Sequence, residues 1–114
     1  MENMESILIT IKQMLGPGAE HEHFDPEIIN HINSVLADLN QMGVGPDDGF
    51  RIEDETSVWS DFIDTDTNLF DSVKTYIYLR VKLIFDPPTS SAVLNAYQRD
   101  IEKWEFRLNV AAES

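Results

Sequence analysis

The chain contains no cysteine, which excludes disulfides, thiolate nucleophiles and cysteine-based zinc sites together. It has no long apolar run either. No stretch approaches the roughly 18 to 20 residues a membrane-spanning helix needs, so no membrane partner is expected. The opening MENMESILITIKQML does not read as a secretory leader. Glu2 and Glu5 stand where positive charge belongs, and Thr10, Lys12 and Gln13 interrupt the apolar residues. The expectation is a soluble chain that is not exported.

Cations are scarce: 8 Lys and Arg against 21 Asp and Glu, a net charge of −13. The imbalance is local. Residues 1–72 carry 16 acidic side chains against Lys12 and Arg51, a net of −14, whereas residues 73–114 carry 6 basic and 5 acidic side chains, a net of +1. Such a surface repels nucleic acid and anionic membrane instead of gripping them. It suits a solubilising shell, a surface that must not stick to DNA, or one that meets a basic partner.

What remains is enough for a core. Of the 114 residues, 42% are apolar, with six Phe and two Trp. A domain of this size buries roughly two-thirds of its unfolded surface. One domain over 1–114 is expected, with an ordered core at about 5–109 and a short tail at 110–114. Ile7, Leu8, Ile11, Met14 and Leu15 have the spacing of an amphipathic helix that Gly16-Pro17-Gly18 ends. Ile28, Ile29, Ile32, Val35, Leu36 and Leu39 form a second stripe that runs to Gly43. Leu94, Tyr97, Ile101, Trp104 and Leu108 make a heptad-like seam on a long last helix. Between the second and third long helices lies an irregular, acidic and partly extended segment. There Phe50-Arg51-Ile52 alternates like a short strand, and Ser57 is placed to cap a short helix carrying Trp59, Phe62 and Ile63. Leu69 to Phe85 fits both helical spacing and strand alternation, and its 17 residues without Gly or Pro favour a helix. The fold class is therefore mainly α, a small bundle of about four helices.

The tripeptide FDP occurs twice, and its two copies read differently. In FDPEIIN, Asp25 is placed as an N-cap, Pro26 suits the first helical turn, and Phe24 can staple onto Ile29. In FDPPTSS the same staple position is the polar Ser90, so Thr89 or Ser90 is the better cap. Asp86, Pro87 and Pro88 then form a stiff corner, because a residue before proline avoids the helical region. Both jobs are architectural.

Candidate chemistry is thin. Asp64-Thr65-Asp66-Thr67-Asn68 opens like a calcium loop, but Leu69 stands where glycine is needed and Thr75 where the bidentate glutamate is needed. His21 and His23, with His31 beyond them, read as a surface histidine cluster, and no metal is expected. The serines at helix starts are explained by capping. GPGAE and GVGP lack the lysine and spacing of a phosphate cradle. No catalytic residue or cofactor is expected, and the chain does not read as an enzyme. Phe106 breaks the pattern: it points about 160° away from the seam of its helix. Phe106, Trp59 and Val110 are therefore the candidate contacts for another subunit or partner.

The run KTYIYLRVKLIFDPPTSSAVLNAYQRDIEKWEFRLN (Lys74 to Asn109) resembles the small head–tail connector, or adaptor, proteins of long-tailed bacteriophages. HINSVLADLNQMGVGP and TSVWSDFI are similar to the corresponding earlier segments, so the resemblance spans roughly residues 5–110. It implies a helical module that forms a ring beneath the portal protein, extends the DNA channel, and offers a docking surface to head-completion or tail proteins. It also implies a helix at Leu69 to Phe85. The implied location is the virion, and the host bacterial cytoplasm during assembly. DNA would pass nearby without specific binding, and the acids of the irregular segment, Asp47, Asp48, Glu53, Asp54 and Glu55, are the candidates to face it. The alternative is an acidic protein-binding module or DNA mimic.

Overall fold

The structure, a computed structural model, describes residues 5–113. Glu2, read above for the leader, and Ser114 at the end of the expected tail lie outside the described residues. Five helices follow one another: α1 (Ile7–Leu15), α2 (Asp25–Gln41), the single-turn α3 (Trp59–Phe62), α4 (Asn68–Phe85) and α5 (Ser91–Glu113). α4 packs against α1, α2 and α5, so it is the axis of the bundle. The ambiguous segment is thus a helix. Phe70, Val73, Tyr76, Ile77, Leu79 and Val81 are all buried along it, which takes in more than one side of the helix.

α1 starts where Ser6 accepts from the Ile9 N–H through its hydroxyl oxygen (3.2 Å). Ile7, Leu8, Ile11 and Leu15 turn inward, while Met14, expected in the stripe, is 38% exposed. α2 stops as a helix should at a glycine. Gly43 takes a φ of 89°, the Val44 N–H donates to the Leu39 carbonyl (2.9 Å), and the Gly43 N–H donates to that of Asn40 (3.0 Å). This is a Schellman ending, and it folds Val44 back into the core.

The start of α2 departs from expectation. Asp25 does not cap it. A tight turn over Glu22–Phe24 runs directly into the helix, so Asp25 is already helical (φ −57°, ψ −45°) and has no extended cap geometry to offer. Its carboxylate instead holds Lys12 of α1 at 2.6 Å. Phe24 reaches the second FDP: its ring meets that of Phe85 edge to face, with centroids 5.3 Å apart. The two copies of the tripeptide therefore touch each other, one at a helix start and one at a helix end.

Residues 50–52 form no strand, and the described residues hold only an isolated bridge between Ser6 and Val58. Ile52 is nevertheless fully buried. Asn33 of α2 substitutes for a neighbouring strand: its amide donates to the Ile52 carbonyl (2.9 Å) and accepts from the Ile52 N–H (2.7 Å). Gly45, at a φ of 91°, lies so close to the Phe62 ring that any side-chain carbon would collide with it. Ser57 does not cap α3, whose start is Val58 in extended conformation with no side-chain bond. The Ser57 carbonyl accepts from the Ile7 N–H (3.0 Å) instead, tying this segment to the start of α1.

At the second FDP, Asp86 ends α4 at φ −149°, and its carboxylate takes the Lys82 ammonium at 2.9 Å. The Ser90 hydroxyl oxygen accepts from the Val93 N–H (3.4 Å) as α5 begins. α5 continues through Glu113, past the expected edge of the ordered core, in a run containing the strong helix formers Ala111 and Ala112.

Candidate functional site

The sequence nominates three groups of residues, and the structure separates them. Trp59 is a core residue and offers no surface to another subunit. It is fully buried, with its indole N–H donating to the Thr10 hydroxyl (3.0 Å), which itself donates to the Ser6 carbonyl (2.6 Å). A large aromatic with a polar handle is buried when that handle finds a partner, and Thr10 is that partner. Phe106 and Val110, by contrast, lie one helical turn apart on α5 and are 71% and 49% exposed.

The acids also divide. Glu53, Asp54 and Glu55 share a cleft of about 530 Å³ with Glu20, Glu22 and Asp25. Asp48 lines a different cleft of about 650 Å³, along the amide-rich side of α2, together with Asn30, Asn40 and Arg51. Asp54 is held by its own loop. The Thr56 hydroxyl and backbone N–H both donate to its carboxylate and hold it below its ordinary pKa.

α5 is fixed to the bundle by a polar joint that sequence reasoning missed. Arg80 of α4 donates to Asp38 of α2 (2.7 Å) and to the Tyr76 hydroxyl oxygen (2.7 Å). Tyr76 in turn donates to Glu105 of α5 (2.8 Å). One chain of charge-assisted bonds thus links three helices. Burial, then the bond to Glu105, pushes the Tyr76 hydroxyl up to about 12. Burial opposes the charge on Arg80, but Asp38 and Tyr76 outweigh it and raise its pKa. The available signal was Arg80 itself, a permanent cation within the central, many-sidedly buried helix, which needed a partner to be tolerated there.

Apolar packing of α5 rests on the seam, where Ile101 and Leu108 alone are buried among the described residues. Lys103 and Arg107 lie over the Trp104 ring, 5.1 and 5.2 Å from its centroid. His21 and His23 stack beside Phe24, and His31 stands 3.7 Å from Glu27. No group of three His, Asp or Glu among the described residues is placed to hold a metal. No described helix is long and apolar enough to cross a membrane.

The fold and its surfaces define a helical scaffold whose internal polar groups are committed to holding helices together and whose last helix presents an outer face. The chain belongs to a family described as phage connector proteins, whose model matches residues 7–114. Members are structural and non-enzymatic in kind, and membership makes this chain a component of a bacteriophage virion. No curated protein and no solved structure matches it.

Proposed function

We propose that copies of this chain close into a ring at the portal vertex, extend the DNA channel there, and give head-completion or tail proteins a surface on which to dock. The observation that carries this reading is α5. It is a helix of 23 residues attached along one seam, with Phe106 71% exposed on its outer side. An exposed aromatic on an otherwise uncovered helix face suits a subunit that completes its burial in an assembly.

The acidity fits the same role. Carboxylates along a channel repel phosphates, so a duplex slides without the counterion-releasing Lys and Arg contacts that would hold it. Asp47 and Asp48, exposed at the turn after α2, are the first candidates to face the duplex. The chain assembles in the host cytoplasm before becoming part of the virion. The test is a pull-down of the phage portal protein by the tagged chain, followed by electron microscopy of the complex. Rings stacked coaxially on the portal support the reading. A chain that captures a basic nucleic-acid-binding protein and ignores the portal points instead to a DNA mimic.

A further inference from the structure

Two surfaces of this chain carry charge that it neutralises only in part, and they have opposite signs. On the outer side of α5, Arg99, Lys103 and Arg107 recur every four residues, and all three are exposed. Phe106 and Val110 fall with them inside one sector of about 100°. Among the described residues neither Arg99 nor Arg107 has a carboxylate partner, and Lys103 approaches Asp100 only to 3.8 Å. The result is an exposed aromatic with three cations to one side of it and the exposed Glu102 to the other.

The opposite surface is the cleft of about 530 Å³ that α1 and the start of α2 share with the acidic loop. Glu20, Glu22, Glu53, Asp54 and Glu55 rim it, and the exposed Pro26 and half-buried Ile29 give it an apolar floor. Its one cation, Lys12, is already committed to Asp25 at 2.6 Å. The five rim carboxylates therefore have no cation partner among the described residues.

We propose that the outer face of α5 docks into the acidic cleft of a second copy of this chain, so that neighbouring subunits join head to tail. The inference rests on the ring reading and adds the interface to it. Pairing α5 with α5 would set three cations against three, and pairing cleft with cleft would set carboxylate against carboxylate. Only the heterologous pairing is complementary, and a heterologous contact is the kind that closes into rings. The larger cleft is a poorer mate, because Arg51 lines it. Exposed ion pairs are individually weak, so Phe106 on the apolar floor supplies affinity while the charges set partner choice and register. Glu53, Asp54 and Glu55 then belong to the subunit seam, which leaves Asp47 and Asp48 for the channel.

Two variants test this, each altering exposed side chains only, with circular dichroism as the folding control. One is Arg99→Gln/Lys103→Gln/Phe106→Ser/Arg107→Gln; the other is Glu20→Gln/Glu53→Gln/Glu55→Gln. Sedimentation velocity at low salt is run on the wild type, on each variant alone, and on an equimolar mixture. The expected result is oligomers for the wild type, monomers for each variant, and heterodimers with nothing larger for the mixture, since one intact pair of faces remains. A wild type that assembles while either variant assembles equally well overturns this interface and leaves the ring reading standing. A mixture that stays monomeric, or grows beyond the dimer, overturns the head-to-tail arrangement. A wild type that is monomeric throughout overturns the interface together with unaided ring formation, and leaves family membership untouched.

Discussion

α4 and α5 follow each other through a pair of prolines and have similar lengths, 18 and 23 residues, yet they are held in opposite ways. α4 buries six large side chains and touches all four other helices, α3 through the Trp59–Phe70 ring contact. α5 buries Ile101 and Leu108, leans on α4, and turns Phe106, Val110 and a line of cations outward. Both are amphipathic to the eye. The difference teaches that burial on more than one side makes a helix part of the fold, whereas burial along one seam leaves a surface for something else. Charge follows the same division, since the cations cluster on α4 and α5 and the acids on everything before them.

The comparison breaks most visibly if α4 is not the keystone. Ile77→Ala removes a fully buried side chain from its centre and should cost about 2–5 kcal/mol in urea unfolding. A loss under about 0.5 kcal/mol, the range of ordinary surface changes, would mean α4 is no more central than α5. The corner between the helices comes next. With Pro87 and Pro88 both replaced by Ala, α4 is free to run past Asp86 and misplace α5. Assembly should fail while helix content by circular dichroism holds or rises, and assembly that survives would show that the corner does not set the subunit's shape.

A smaller effect is expected at the joint. Tyr76→Phe removes the hydroxyl that bridges Arg80 and Glu105, a loss of about 1–2 kcal/mol. The same hydroxyl predicts a pH dependence. Its folded pKa, about 12, lies above the ordinary value of 10.0, so the neutral phenol is favoured in the fold. The resulting stability is fully present below pH 10 and is lost as pH rises through about 12. Ultraviolet titration should show Tyr76 ionising late, with burial raising Tyr78 as well, and stability should decline over that window in the wild type and less in Tyr76→Phe. The smallest effect on stability belongs to α5's outer face. Phe106→Ser should change unfolding free energy by no more than about 0.5 kcal/mol, yet weaken self-association in sedimentation. A large stability loss would make Phe106 part of the monomer's own packing.

The helices were legible where a local pattern carries the signal. The Ile28-to-Leu39 stripe with its Gly43 stop, the Leu94-to-Leu108 seam, the DPP corner and the outward Phe106 all depend on spacing within one element. What was not legible depends on contacts between elements. Asp25 had the chemistry of a cap, but a preceding turn made its backbone helical and Lys12 claimed its carboxylate. Phe50 to Ile52 alternates like a strand, and the backbone of Ile52 is satisfied by a side chain 19 residues earlier. Trp59 was a candidate contact and is a core residue. Its burial depends on Thr10, 49 residues away. The Arg80 joint likewise reaches across 42 residues to Asp38. Periodicity is blind to such pairs, and a lone charge or aromatic in an apolar setting is the only trace they leave.

The most direct test of the account is native mass spectrometry of the untagged chain across a wide concentration range, starting dilute. Monomer should give way to a closed oligomer of one fixed subunit number, because a heterologous contact that closes has no intermediate end point. A stable dimer that persists at every concentration would contradict it, since two like faces would then be paired and α5 could not be the link from each subunit to the next.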